Sequence, residues 1–438
     1  MKFILTTILV LSSLGAEAQT VEQELKANVN RAAGMFFARP IVGKPPKDTP
    51  APNGKKAFYI NHYGSTGSYY LDKKEYYEEP YAIFMKADSL GKLTKLGKDV
   101  LRRVTLLRND AKDRWGELTE KGALQSRALM KILVNRVPEM FTKESYYSVH
   151  SIVENRFILT MQEGLLQLSS MQQPIIARSR ASNSAVRYML GGDSQLAAQA
   201  TDSLTMVRYN RFVALNSNDG RLMASLFNDQ NYVITNIDAA KLAKQLFILA
   251  GNIQHTELAG LVNLYDIFTP EEIHHHWRKQ NAWHYINYGG CTLNGGKQPF
   301  LQRSTLRNMI HMGDSMMTRY TPLMHNRYTH ESVMLALASL MELDNCGVQT
   351  SNLDSLETAG WADYRIAPLG GSIVMIHYRS ERNDPDVLVK VLFNGHEARL
   401  PVETDCAPYY HWQDVKNYYL RKLYRYENTR FNRKNRRR

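Results

Sequence analysis

The stretch from residue 58 to 70, F-Y-I-N-H-Y-G-S-T-G-S-Y-Y, constrains the fold more than any other part of this chain. Residues 57–60 form an apolar and aromatic run of the kind that makes a buried strand. The run breaks into a turn with Gly64 and Gly67, and the hydroxyl residues Ser65, Thr66 and Ser68 lie between and after them. A strand opening into a glycine-rich turn brings backbone N–H groups close to whatever sits at the edge of a sheet. Alone, the pattern is not specific.

The segment before it has the form of a secretory signal. Lys2 precedes an apolar run over residues 3–14, and Ala16-Glu-Ala18 offers a small-residue cleavage site. That run is too short to span a membrane, and no later stretch approaches twenty apolar residues. The chain is therefore expected to be exported without a transmembrane segment, to the periplasm or cell surface if the source is Gram-negative. Residues 19–438 are long enough for two or three domains. Cys291, Cys346 and Cys406 allow one disulfide or three separate thiols. Of the net charge of +13, +8 falls in residues 421–438. Such a tail could contact an anionic surface, but a solvated, frayed terminus is the plainer expectation, and no nucleic-acid motif accompanies it.

Helical spacing organises most of the rest. A short helix is expected over 21–33, followed by a proline-rich stretch from Pro40 to Pro52. One or two amphipathic helices follow within 75–110. Thr119 is placed to cap a helix over 120–136, and Thr269-Pro-Glu-Glu272 is a capping box that starts another. Residues 162–300 read as mostly helical, with no strand alternation of note. Residues 332–343 read as a helix, and 366–369, 372–378 and 387–393 as strands. His274, His275 and His276 are consecutive, and neighbours on a helix point about 100° apart, so they read as a surface triplet rather than a metal site.

Several blocks, in order, carry a resemblance. Tyr59, Ile60, His62, Tyr63, Gly64, Gly67, Ser68 and Tyr70 match a frame that bacterial relatives tend to write Y-I-S-H-Y-G-R-H-G-S-R-Y. Leu118, Thr119, Gly122 and Gln125 match L-T-x-x-G-x-x-Q, with Ser126 where a histidine is usual. Ser151, Arg156 and Met161 match a strand-to-helix segment, and Arg178 and Arg180 form a weaker alternative for it. Phe268-Thr-Pro-Glu-Glu272 and Asn326-Arg-Tyr-Thr-His-Glu331 complete the series. Together these are similar to the histidine acid phosphatases, in the branch of phytases and multiple inositol polyphosphate phosphatases.

The resemblance implies an α/β fold: a phosphoglycerate-mutase-like core, with a mixed, mainly parallel sheet flanked by helices, and an inserted α-helical cap. The expected organisation is a signal over 1–18, an extension over 19–55, a core over 56–161 and 300–425, a cap over 162–299 and a basic tail over 426–438. It also implies roles. Thr66 stands at the nucleophilic histidine, and Ser65, Tyr69 and His150 stand at phosphate-binding arginines. His330 and the carboxylic acid after it, Glu331, are retained. Histidine phosphatases attack phosphorus with an imidazole, hold the phosphoryl oxygens with arginines, and protonate the leaving oxygen with an acid. Each charge-assisted hydrogen bond is worth roughly 1.5–3 kcal/mol, so three lost clamps weaken phosphate binding, though not additively. His62, on the strand face of Gly64, and His150 are the candidate replacements. Ser65, Gly67, Tyr69, His150 and His62 are the expected ligand contacts, with no cofactor and no metal. The expected function is a pseudo-phosphatase that binds a phosphorylated small molecule or polyol. The alternatives are an active, divergent phosphomonoesterase using His330 and Glu331, and a surface-interaction protein acting through the tail.

Overall fold

The computed structural model describes residues 20–40, 47–52, 54–171 and 175–435; the expected signal segment lies outside them. The apolar run after Lys55 is the centre of the molecule. It forms β1, Lys56–Gly64, buried at every position after the first, as a strand covered on both faces must be. The other strands are β2 (Tyr146–Ser151), β3 (Ile176–Ala181), β4 (Leu323–Tyr328), β5 (Ser372–Arg379), β6 (Leu388–Phe393), β7 (His396–Glu397) and β8 (Tyr410–His411). The sheet order is β3-β2-β4-β1-β5-β6-β7, with β8 also paired to β6. From β3 to β1 the strands are parallel, and from β1 onward the pairs are antiparallel. This is a mixed α/β sheet flanked by helices.

Parallel neighbours require crossover connections, and helices supply them. Glu75–Ser89, Lys95–Ala111 and Glu120–Arg136 connect β1 to β2, and Asn155–Ser170 connects β2 to β3. The register aligns Gly64 with Tyr328, and Tyr328 with Ser151. The segments after β1, β4 and β2 therefore leave the sheet side by side at its carboxyl edge. That edge is where open α/β sheets bind ligands.

Two hydrophobic cores hold the chain. One packs Tyr59, Ile60, Phe157, Leu337 and Val389 around the sheet. The other joins Phe37 and Tyr70 to Phe84, Val100, Leu226, Leu246 and Trp277, uniting three separated stretches in one helical body. Both expected caps form. Thr119 accepts the N–H of Gly122, and Thr269 and Glu272 bond reciprocally behind Pro270. Among the described residues no helix is long and apolar enough to cross a membrane.

Four local expectations are corrected. β3 lies inside the stretch read as mostly helical. β3 is an exposed edge strand carrying Arg178 and Arg180, so it has no apolar alternation to detect. Residues 366–369 form no strand: a short helix, Asp363–Ile366, ends there and Leu369 makes a single bridge to Ala38. The first helix stops at Ala27 and continues as tighter turns over Val29–Phe36. The last helix, Trp412–Asn435, carries regular structure into the basic terminus that was expected to be solvated and frayed. The three cysteines are free thiols.

Candidate active site

The loop after β1 is tied down at every residue from Ser65 to Tyr69. The Ser65 N–H donates to the Gly371 carbonyl at 2.9 Å, and its hydroxyl donates to the Pro368 carbonyl at 3.0 Å. Gly67 meets Gly122 of the next helix so closely that a Cβ on Gly67 would lie 2.5 Å from the Gly122 carbonyl oxygen. A Cβ on Gly122 would lie 2.1 Å from the Ser68 carbonyl oxygen. The Ser68 N–H donates to Gln125 Oε1 at 3.1 Å, and Ser68 Oγ lies 3.0 Å from Nδ1 of the buried His255. Gln125, six residues after the Thr119 cap, thus holds the Ser68 end of the loop.

Thr66 is fully buried. Its hydroxyl shares a 3.1 Å hydrogen bond with Thr160 Oγ1, which also accepts the Gly67 N–H at 3.3 Å. Beside it lies a charged group built from the segments after β2 and β4. The Arg156 guanidinium packs 4.7 Å from the ring centres of both Tyr69 and Phe157, and its Nη2 lies 2.9 Å from Glu154 Oε2. His330 Nε2 lies 3.0 Å from the other oxygen of Glu154, and its ring meets Phe157 edge-on at 5.1 Å.

Glu331 opens the next helix and is only 4% exposed. Burial pushes its carboxyl up to about 7, against the opposing pull of its own and the Thr66 N–H groups and of Arg156. Burial lowers His330 from the usual imidazole range, with Glu154 pulling the other way. Burial, and then the charge of Glu331, raises the Tyr69 phenol well above its ordinary value. Glu331 Oε1, Arg156 Nε, Thr329 Oγ1 and Ser151 Oγ are buried without a hydrogen-bond partner among the described residues. A buried polar atom left this way costs about 1–3 kcal/mol.

Thr66, Gly67, Tyr69, His330 and Glu331 thus converge at the carboxyl edge of the sheet. The other expected residues do not join them there. Ser65 turns its hydroxyl back into the base of the loop. His62 is buried under the loop, 5.8 Å from the Tyr328 ring, and burial lowers its pKa to about 3. With Ser65, Gly67 and Thr160 it lines a cavity of about 60 Å³. His150 bonds Ser148 Oγ at 3.0 Å and lies near Arg327 and Arg180, which with burial lower its pKa. The guanidinium beside Tyr69 and Glu154 is that of Arg156. Its sequence signal was its place in the segment that also carries Thr160, one turn on along the same helix face.

The histidine triplet is also dispersed. His274 pairs with Glu357 at 2.7 Å, whereas His276 is buried and stacks 4.8 Å from Phe247, so the triplet is not wholly on the surface.

No family model matches the chain, and no curated protein matches it. Solved structures do. The multiple inositol polyphosphate phosphatase of Bifidobacterium longum, in complex with inositol hexasulfate, superposes with a TM-score of 0.67 at 13% identity, covering 88% of this chain and 97% of that one. Its phosphate complex gives 0.66 at 13% identity, with the same coverage. The phytase from D. castellii gives 0.64 at 12% identity, covering 91% of this chain and 86% of that one. The architecture is therefore that of the histidine phosphatase fold, spanning nearly the whole of those enzymes.

Proposed function

We propose that this is an exported pseudo-phosphatase whose edge-of-sheet site binds a polyhydroxylated ligand carrying at most one phosphoryl group. The observation that carries the reading is the Thr66 hydroxyl, which is buried and hydrogen-bonded to Thr160 rather than to an imidazole among the described residues. A threonine hydroxyl needs an adjacent base to attack phosphorus. The nearest imidazole in the charged group, His330, is engaged by Glu154. Charge supports the ligand class. Arg156 faces Glu154 and Glu331, and Asp72 adds a further negative charge felt by both Tyr69 and His330. Such a site has one guanidinium for a phosphoryl group and too many carboxylates for a polyanion. Phe36, half-buried and 6.1 Å from Tyr69, is the aromatic ring best placed to meet an apolar sugar face, since Tyr69 and Phe157 are buried against Arg156.

Calorimetric titration with myo-inositol, a monophosphorylated inositol and inositol hexakisphosphate tests this. The expected result is binding of the first two at the expense of the third, weakened about tenfold or more for the monophosphate in Arg156→Ala. Tightest binding of the hexakisphosphate, unaffected by Arg156→Ala, would contradict it.

A second reading has its own observation. A carboxyl held near 7 beside a retained histidine is suited to protonating a leaving group, so Glu331 and His330 would serve a divergent phosphomonoesterase that uses water directly. Phosphate release abolished by Glu331→Gln would select that reading.

A further inference from the structure

Far from this site, on the antiparallel side of the sheet, Asp405, Cys406 and His411 bring one carboxylate oxygen, one thiol sulfur and one imidazole nitrogen within 4.8 Å of one another. We propose that these three residues bind a divalent metal ion of zinc type, with Asp386 orienting the imidazole. Their chemistry is the first argument. Thiolate, imidazole and carboxylate are the three side-chain donors zinc takes, and three protein ligands leave one tetrahedral position for water. The mixed set also distinguishes the cluster from a patch of acids: hard cations such as calcium and magnesium prefer all-oxygen surroundings.

The second argument comes from a different segment. Asp386 Oδ1 lies 2.5 Å from His411 Nδ1, and this bond leaves Nε2 aimed at Asp405, whose Oδ1 is 3.0 Å away. A carboxylate on one ring nitrogen and the metal on the other is the arrangement that sets the tautomer and orientation of a zinc-binding histidine. The scaffold is firm. β8 pairs His411 with Leu388 and Tyr410 with Val389 of β6, just after Asp386. In the turn before it, the Thr404 hydroxyl donates to the Tyr409 carbonyl at 2.8 Å, and the Cys406 N–H donates back to that hydroxyl at 3.3 Å. Cys406 Sγ stays near this turn, 3.3 Å from Thr404 Oγ1.

Binding would displace two protons, one from Cys406 Sγ and one from His411 Nε2, while Nδ1–H remains donated to Asp386. The metal would then close the 404–411 turn, and the His411–Asp386 bond would tie that turn to the loop before β6. Spacing conceals the site, because Asp405 and Cys406 are adjacent, His411 follows five residues on, and the orienting acid is in another hairpin.

The test uses the full mature protein stripped with a chelator and titrated with Zn²⁺ against a chromophoric competitor, then with Co²⁺ as a spectroscopic probe. One equivalent should bind, and the Co²⁺ form should show a thiolate charge-transfer band. Cys406→Ser should abolish that band, His411→Ala should abolish stoichiometric binding, and Asp386→Asn should weaken it about ten- to a hundredfold. His274→Ala and His275→Ala should leave binding unchanged, and metal-free Cys406→Ser should melt like the parent. Absence of one-equivalent binding, a Co²⁺ spectrum without the thiolate band, or equal affinity in parent and His411→Ala would each overturn the proposal.

Discussion

At the scale of single residues, the site turns on what surrounds one hydroxyl and one carboxyl. Thr66 is held by Thr160, so restoring an imidazole alone is not enough. Thr66→His should bring no measurable phosphatase activity, because the arginine places remain Ser65 and Tyr69; a gain of tenfold or more over background would show that the clamps are dispensable. Glu331 makes a second prediction. Its folded pKa, about 7, is raised above the ordinary carboxyl value of 4.5. Its contribution is therefore fully present below that ordinary value and is lost as pH rises through 7. Glu331→Gln should thus be more stable than the parent at pH 8, by on the order of 1–3 kcal/mol, with the difference shrinking at pH 5. Urea unfolding at the two pH values measures this, and a constant difference would show that Glu331 is ionised throughout. The positions of Thr66, His330 and Glu331 were legible in the sequence because the frame around each is kept, and Arg156 because it matches the segment after β2. What was not legible is the packing of Arg156 against Tyr69 and Glu154, which no spacing rule encodes.

At the scale of elements, local chemistry was the reliable guide. The caps at Thr119 and Thr269 bond within four residues, so the chain itself displays both partners. The edge strand β3 was hidden because its side chains are exposed, and solvent imposes no apolar pattern. The contact between the Ser65–Tyr69 loop and the following helix yields a third prediction. Gly122→Ala would set a Cβ 2.1 Å from the Ser68 carbonyl oxygen, whereas a Cβ on Gly192 meets nothing within 4 Å. Gly122→Ala should cost about 2 kcal/mol or more and loosen the loop, whereas Gly192→Ala should change stability by less than about 1 kcal/mol. Thermal melts of the pair are the check, and equal melting temperatures would mean the loop does not rest on this helix. Thr119→Ala, which loses the cap and the hydroxyl's 3.2 Å bond to the Ser68 carbonyl but adds no clash, should fall between them at about 1 kcal/mol.

At the scale of the whole molecule, the strand order and the second core were the least legible, since both depend on which distant stretches meet. Residues 21–37, 70–111 and 222–277 share one helical core, although nothing in any one of them names the others. That burial has a consequence for acid stability. His62, His255, His276 and His377 are buried and His325 is half-buried, and desolvation lowers their pKa values to about 3. A folded pKa below the unfolded value near 6.5 gives stability that is present above 6.5 and is lost as pH falls toward 3. The protein should therefore unfold at markedly lower urea concentration at pH 5 than at pH 7.5; an unchanged midpoint would mean these imidazoles are hydrated. The central proposal is a phosphatase frame that binds without turning over. Its most direct test is phosphate release from a panel of phosphomonoesters, inositol hexakisphosphate included, by the parent, Glu331→Gln and His330→Ala across acidic to neutral pH. Release indistinguishable from background in all three is the predicted result. Release well above background in the parent, and lost in both variants, would contradict it and make the protein a working phosphomonoesterase.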